Sequence, residues 1–182
     1  MRSATFRSDL SVRDIPAPQG LAPFSLALAA DIRPDDHGDS PYGTGRLVLL
    51  HDPAGQDGWA GDTRLVTIVS APVEPEMAGD PLLAEVAWGW LADALVGRGA
   101  ALHAAGGTVT RTASTSFGDL APDGRQATQE KAEVELRASW SPGNGTDSGL
   151  VDDIVAHLAA WCDLLCTMAG LPPPGVRGLP SR

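Results

Sequence analysis

Lysine is nearly missing from this chain: of its 13 basic residues only Lys131 is one. With so much Ala, Gly and Pro, the arginine excess reads as genome composition rather than a binding device. Cysteine is equally scarce. Cys162 and Cys166 stand one helical turn apart, which excludes the paired framework of a small secreted domain. No apolar run approaches the roughly 20 residues of a membrane span, and Met1 to Leu10 lacks the apolar centre of a signal peptide. The expectation is a soluble cytoplasmic protein without a membrane partner. Positive charge is also short. The net −10 opposes phosphate backbones, so nucleic acid is not an expected partner. Gly-x-Ser-x-Gly, the P-loop, His-Glu-x-x-His and the EF-hand spacing are all absent.

What is present is enough to fold. The chain has 182 residues, 43% of them hydrophobic, consistent with one domain over 1–171 followed by a disordered tail, 172–182. Its organising stretch is a last helix from Ser148 to Gly170. Val151, Ile154, Val155, Leu158, Trp161, Cys162, Leu165, Met168 and Ala169 recur at three- and four-residue steps and form one stripe. Asp147 or Ser148 suits its N-cap, Gly170 its left-handed stop, and Pro172 to Pro174 cannot continue it.

Upstream, residues 1–14 read as a polar arm or vestigial helix, with Ile15 to Pro18 as an extended lead-in. Phe24 to Ile32 alternates as a first strand, Leu47 to Leu50 gives a second and Arg64 to Ala71 a third, with a long loop from Asp52 to Asp62. Asp80-Pro81 opens a helix whose expected buried stripe is Leu83, Val86, Ala87, Trp90, Leu91, Ala94 and Leu95. Thr108 to Phe117 is a fourth strand. Ala132 to Trp140 is a cleanly alternating fifth, which calls for one covered and one wet face. The expected fold is α+β, βββ-α-ββ-α, with two layers: a five-stranded, mostly antiparallel sheet and two helices on one face.

Several segments carry a family resemblance. They include Ile15-Pro16-Ala17-Pro18-Gln19, Gly45 to Gln56, Arg64-Leu65-Val66-Thr67, Glu74 to Ala78, Gly107 to Arg111 and Ala156 to Cys166. Together they resemble the actinobacterial domain-of-unknown-function family numbered 3000, from about Arg7 to Pro173. The resemblance implies no activity, cofactor or catalytic residue. Relatives have a fuller N-terminal helix and Arg where Gly20 stands, so the first element is expected to be shortened or lost. With that helix restored, the element order is similar to that of type III secretion chaperones, an analogy of topology only.

Candidate sites come singly. Cys162, Cys166 and His157 do not share a helix face, and His51 or His103 would join them only through tertiary structure, so no metal is expected. His51-Asp52 offers a His–carboxylate pair, but Asp52-Pro53-Ala54-Gly55 also reads as a turn with Asp52 accepting from its own backbone. Trp59, in a Gly-rich loop, is either a binding anchor or a lid folded over a sheet end. Trp88 lies off its helix's stripe, either under the Pro-rich lead-in or at an interface.

The expected function is therefore a non-catalytic, cofactor-free module, adaptor- or chaperone-like, that self-associates as a homodimer and binds a protein partner through a sheet face or through Trp59 and Trp88. The alternative is an enzyme whose site gathers His51, Asp52, His103 and Arg111. A nucleic-acid factor would need an arginine patch from Arg46, Arg64 and Arg111.

Overall fold

The computed structural model describes residues 9–33, 42–118, 129–143 and 150–171. Six antiparallel strands form one open sheet: β1 (Leu10–Ile15), β2 (Phe24–Ile32), β3 (Gly43–Gln56), β4 (Gly61–Val73), β5 (Leu102–Ser116) and β6 (Gln129–Pro142), in the spatial order β1-β2-β3-β4-β6-β5. Three α-helices accompany them among the described residues: α1 (Pro75–Gly79), α2 (Leu83–Gly97) and α3 (Leu150–Met168). The α+β class and antiparallel sheet agree with the sequence reading; the counts of five strands and two helices are corrected to six and three.

The missing strand is β1. Residues 10–15 pair with β2 in register from Leu10–Ile32 to Ile15–Ala27. Leu10 and Val12 turn to the core and Arg13 outward, an alternation too short and too polar to stand out from the arm around it. The missing helix is the single turn α1, begun by Pro75 after an extended Glu74. The following turn displaces the start of α2 to Leu83, with Asp80 Oδ1 accepting from the Leu82 amide at 2.8 Å.

The loop expected from Asp52 to Asp62 is instead the end of a long hairpin. β3 runs to Gln56, a 3-10 turn spans Asp57–Trp59, and Ala60 takes a left-handed φ of 54° before β4 begins. Asp52 does accept from its own backbone, Ala54 N–H donating to Oδ1 at 3.1 Å, but within a bulged strand.

One face of the sheet carries the core. Alternate residues of β4 (Leu65, Thr67, Val69, Ala71) and β6 (Val134, Leu136, Ala138, Trp140) are buried under the helices. α3 crosses β3, where Gly45 leaves room for the indole of Trp161: a Cβ on Gly45 would lie 2.9 Å from the Trp161 ring. Gly170, at φ 72°, ends α3, and the Leu171 amide donates to the Cys166 carbonyl at 2.9 Å. The expected N-caps Asp147 and Ser148, and the tail 172–182, lie outside the described residues.

The two long helices pack side by side, tied at the surface by Arg98 and Asp163, whose two hydrogen bonds measure 2.5 and 2.8 Å. Each stripe needs a correction. Val86 and Val155, expected in the core, are each 45% exposed. On α3 the buried set is His157, Ala160, Trp161, Leu164, Leu165 and Met168, with Cys162 and Cys166 beside it. The apolar arc is rotated towards a histidine that hydrophobicity alone would leave outside.

Candidate interaction surface

The residues of the expected enzyme site are held by separate structural bonds. His51 on β3 lies opposite Thr63 on β4, Nδ1 to Oγ1 3.0 Å, and Thr63 donates to Asp62 Oδ1 at 2.8 Å. A carboxylate can only accept, so the Thr63 proton is committed to Asp62 and His51 must donate through Nδ1. That polarity is the reverse of a base activating a hydroxyl. The Phe24 ring covers His51, with centroids 6.0 Å apart.

His103 joins the end of β6 to the hairpin tip, its Nδ1 2.8 Å from the Gly143 carbonyl oxygen and its Nε2 3.1 Å from that of Ala60. Arg111 sits at the far end of the sheet. Its guanidinium donates to the carbonyls of Ala78 and Asp80 and so closes the last turn of α1. Following the registers, Arg111 is level with Ala71 of β4, whereas His51 is level with Thr63. Along the strand that separation is about 27 Å. The structure does not bring His51, Asp52, His103 and Arg111 together. Among the described residues, no group of three or more His, Cys, Asp and Glu side chains could hold a metal ion.

Of the two tryptophans, Trp88 is half-buried over β5, where a Cβ on Gly107 would lie 2.7 Å from its ring. Trp59 is half-buried at the hairpin tip, which folds back onto the sheet end: Ser141 Oγ donates to the Trp59 carbonyl at 2.6 Å.

The sheet face away from the helices, uncovered among the described residues, is the wet face that the alternation from Ala132 to Trp140 called for; which residues line it was not legible in the sequence. Strand registers assemble a row straight across it: Arg13, Ala29, Arg46, Ile68, Arg137 and Thr108. Arg13 pairs with Asp31, and Arg137 with Glu135 at 2.7 Å. Arg46 is exposed and has no ion-pair partner among the described residues. The adjoining row is apolar over Ile15, Ala27, Val48 and Val66, of which Ala27, like Ala29, is buried and the other three half-buried. Ile68, between Arg46 and Arg137, is 39% exposed.

At the hairpin end of this face, Arg64 donates to the Ala104 carbonyl at 2.8 Å, Ser141 Oγ at 3.2 Å and Ser139 Oγ at 2.8 Å. Burial lowers its pKa from the ordinary guanidinium value. Its donors hold the bulge in β5, where Ala104 has a φ of 49°. Arg46 and Arg64 thus share the open face, while Arg111 belongs to the helical side. The arginine row escaped sequence reading because its members are 33 and 91 residues apart and meet only through pairing register.

Comparison with known proteins adds the family. A family described as "Protein of unknown function (DUF3000)" matches residues 1–177. No curated protein and no solved structure matches the chain. On a match spanning nearly its whole length, the protein belongs to the DUF3000 family.

Proposed function

We propose that this domain is a non-catalytic cytoplasmic protein-binding module, adaptor- or chaperone-like in kind, that works through the uncovered sheet face with Trp59 at its rim. The observation that carries this reading is Arg46, exposed and unpaired among the described residues, beside the exposed Ile68. A guanidinium next to apolar area suits a partner that presents a carboxylate among apolar side chains, since arginine grips carboxylates through two parallel bonds. Tryptophan and arginine are also the residues most enriched where binding energy concentrates. Trp88, beside the outer strand, supplies a second contact on the helical side. An enzyme built on His51, Asp52, His103 and Arg111 has less support, because each group is occupied by a structural bond.

The test is affinity capture on the full chain, comparing wild type with Arg46→Glu, Ile68→Asp and Trp59→Ala. The reading expects a stoichiometric protein recovered by wild type and lost by the Arg46 and Ile68 variants, all of them folded by circular dichroism. The same protein recovered equally by every variant contradicts it.

A further inference from the structure

Among the described residues, β5 is the outermost strand on one side of the sheet and pairs with β6 alone along Leu102–Ser116. Its other edge therefore presents a long series of backbone N–H and C=O groups to whatever lies beside it, a template for another strand. The opposite edge is blunted in the usual ways. β1 has six residues, contains Arg13 and Asp14, and ends just before Pro16. β5 has neither proline nor lysine in 15 residues, and its Arg111 is drawn to the helical side by the Ala78 and Asp80 carbonyls. From Ala104 to Thr115 every residue except Val109 is exposed.

We propose that this edge pairs antiparallel, about a two-fold axis, with β5 of a second copy of the chain, merging two six-stranded sheets into one of twelve. The strand's own sequence argues for this occupant. With the axis at Thr110, Thr110 meets its counterpart and Thr108 meets Thr112 of the second copy on the open face, a favourable cross-strand pairing. On the helical side, Gly107 meets Ala113, and Arg111 meets Val109 rather than another Arg111. The strand thus meets itself without opposing like charges, as an isologous interface requires.

The area also fits. Pairing over about ten residues runs about 34 Å, and sheet plus helix layer is about 20 Å deep. The abutting surface therefore approaches the roughly 800 Å² per partner of a stable complex. α1 packs on β5 and β6 at this border, and its exposed Met77 adds apolar surface there.

The proposal stands independently of the open-face reading, and the experiment separates them. Sedimentation equilibrium of the full chain over a wide concentration range should show a reversible dimer. The doubly substituted Thr110→Lys, Thr112→Lys chain, which sets lysines against each other across the axis, should be a monomer with an unchanged circular dichroism spectrum. Ser11→Lys on the β1 edge and Arg46→Glu on the open face should remain dimeric. Hydrogen exchange on wild type should show β5 amides gaining protection as concentration rises, which needs no variant to fold. A wild-type monomer at every concentration overturns the proposal. So does a folded double-lysine chain that still dimerises, a dimer lost through Arg46→Glu, or β5 exchange that ignores concentration.

Discussion

The indole Nε1–H of Trp140 donates to Nδ1 of His157 across the sheet–helix boundary at 3.1 Å, and both side chains are about 1% exposed. Because an indole nitrogen can only donate, His157 must be the acceptor at Nδ1 and carry its proton on Nε2, which faces the Ala101 carbonyl at 3.0 Å. The ring is thereby fixed as one neutral tautomer between β6, α3 and the segment before β5.

Acid should undo this arrangement first. Burial lowers the His157 pKa below its ordinary 6.5, opposed by the nearby Asp153 and the Ala101 carbonyl. Unfolded, the histidine takes up its proton near 6.5; folded, it does so only at lower pH. Its contribution is therefore complete above about pH 6.5 and is lost as pH falls from there towards the folded pKa, with a slope of at most about 1.4 kcal/mol per pH unit. Urea denaturation from pH 8 to 5 measures it. His157→Gln should flatten that part of the profile, and an unchanged slope would assign the acid sensitivity elsewhere.

The two buried tryptophans should respond differently to truncation. Trp140→Phe leaves Nδ1 of His157 without its donor, whereas the Trp161 Nε1–H has no hydrogen-bond partner among the described residues. Beyond the lost volume common to both, Trp140→Phe should cost about 1–3 kcal/mol more, the penalty of an orphaned buried acceptor. Equal or reversed costs in chemical denaturation would refute this accounting.

How the sequence encodes these elements explains which of them it reveals. α3 is legible because its apolar period and its Gly170 stop are local, and β6 because each inward residue from Ala132 to Trp140 is apolar. β1 is not, since Arg13 and Asp14 interrupt a six-residue strand. His157 had a signal, the steps to Ala160, Trp161 and Leu164, but it shows only if histidine is counted as a core residue. The roles of His103 and Arg111 were out of reach, because their partners are backbone carbonyls 40 and 31 residues away. Arg46 was read only as part of a patch with Arg64 and Arg111; its place between Arg13 and Arg137 comes from register alone.

The cysteines should be silent in the native protein. Cys162 and Cys166 are buried and form no disulfide with each other, and burial, with Cys166 nearby, pushes the Cys162 thiol up to about 12. Only the thiolate reacts, so labelling by iodoacetamide at pH 8 should follow global unfolding. Prompt labelling of the folded chain would contradict the packing described for α3.

At Gly107 the Trp88 ring of α2 rests against the outer strand. Gly107→Ala would press a methyl group into the Trp88 ring and the β6 backbone, and should cost about 1–3 kcal/mol by overpacking. Trp88→Leu in the same chain should restore part of that loss. A Gly107→Ala chain as stable as wild type would mean that Trp88 does not rest there.

The claim on which the functional account turns is that partners meet the uncovered sheet face. Once a partner is captured, amide shift mapping during its titration into the isotope-labelled domain tests this most directly. The account predicts perturbations concentrated on Arg13, Arg46, Val66, Ile68 and Arg137, with Trp59 at the margin. Perturbations confined to the helices, or to His51 and its neighbours, would contradict it.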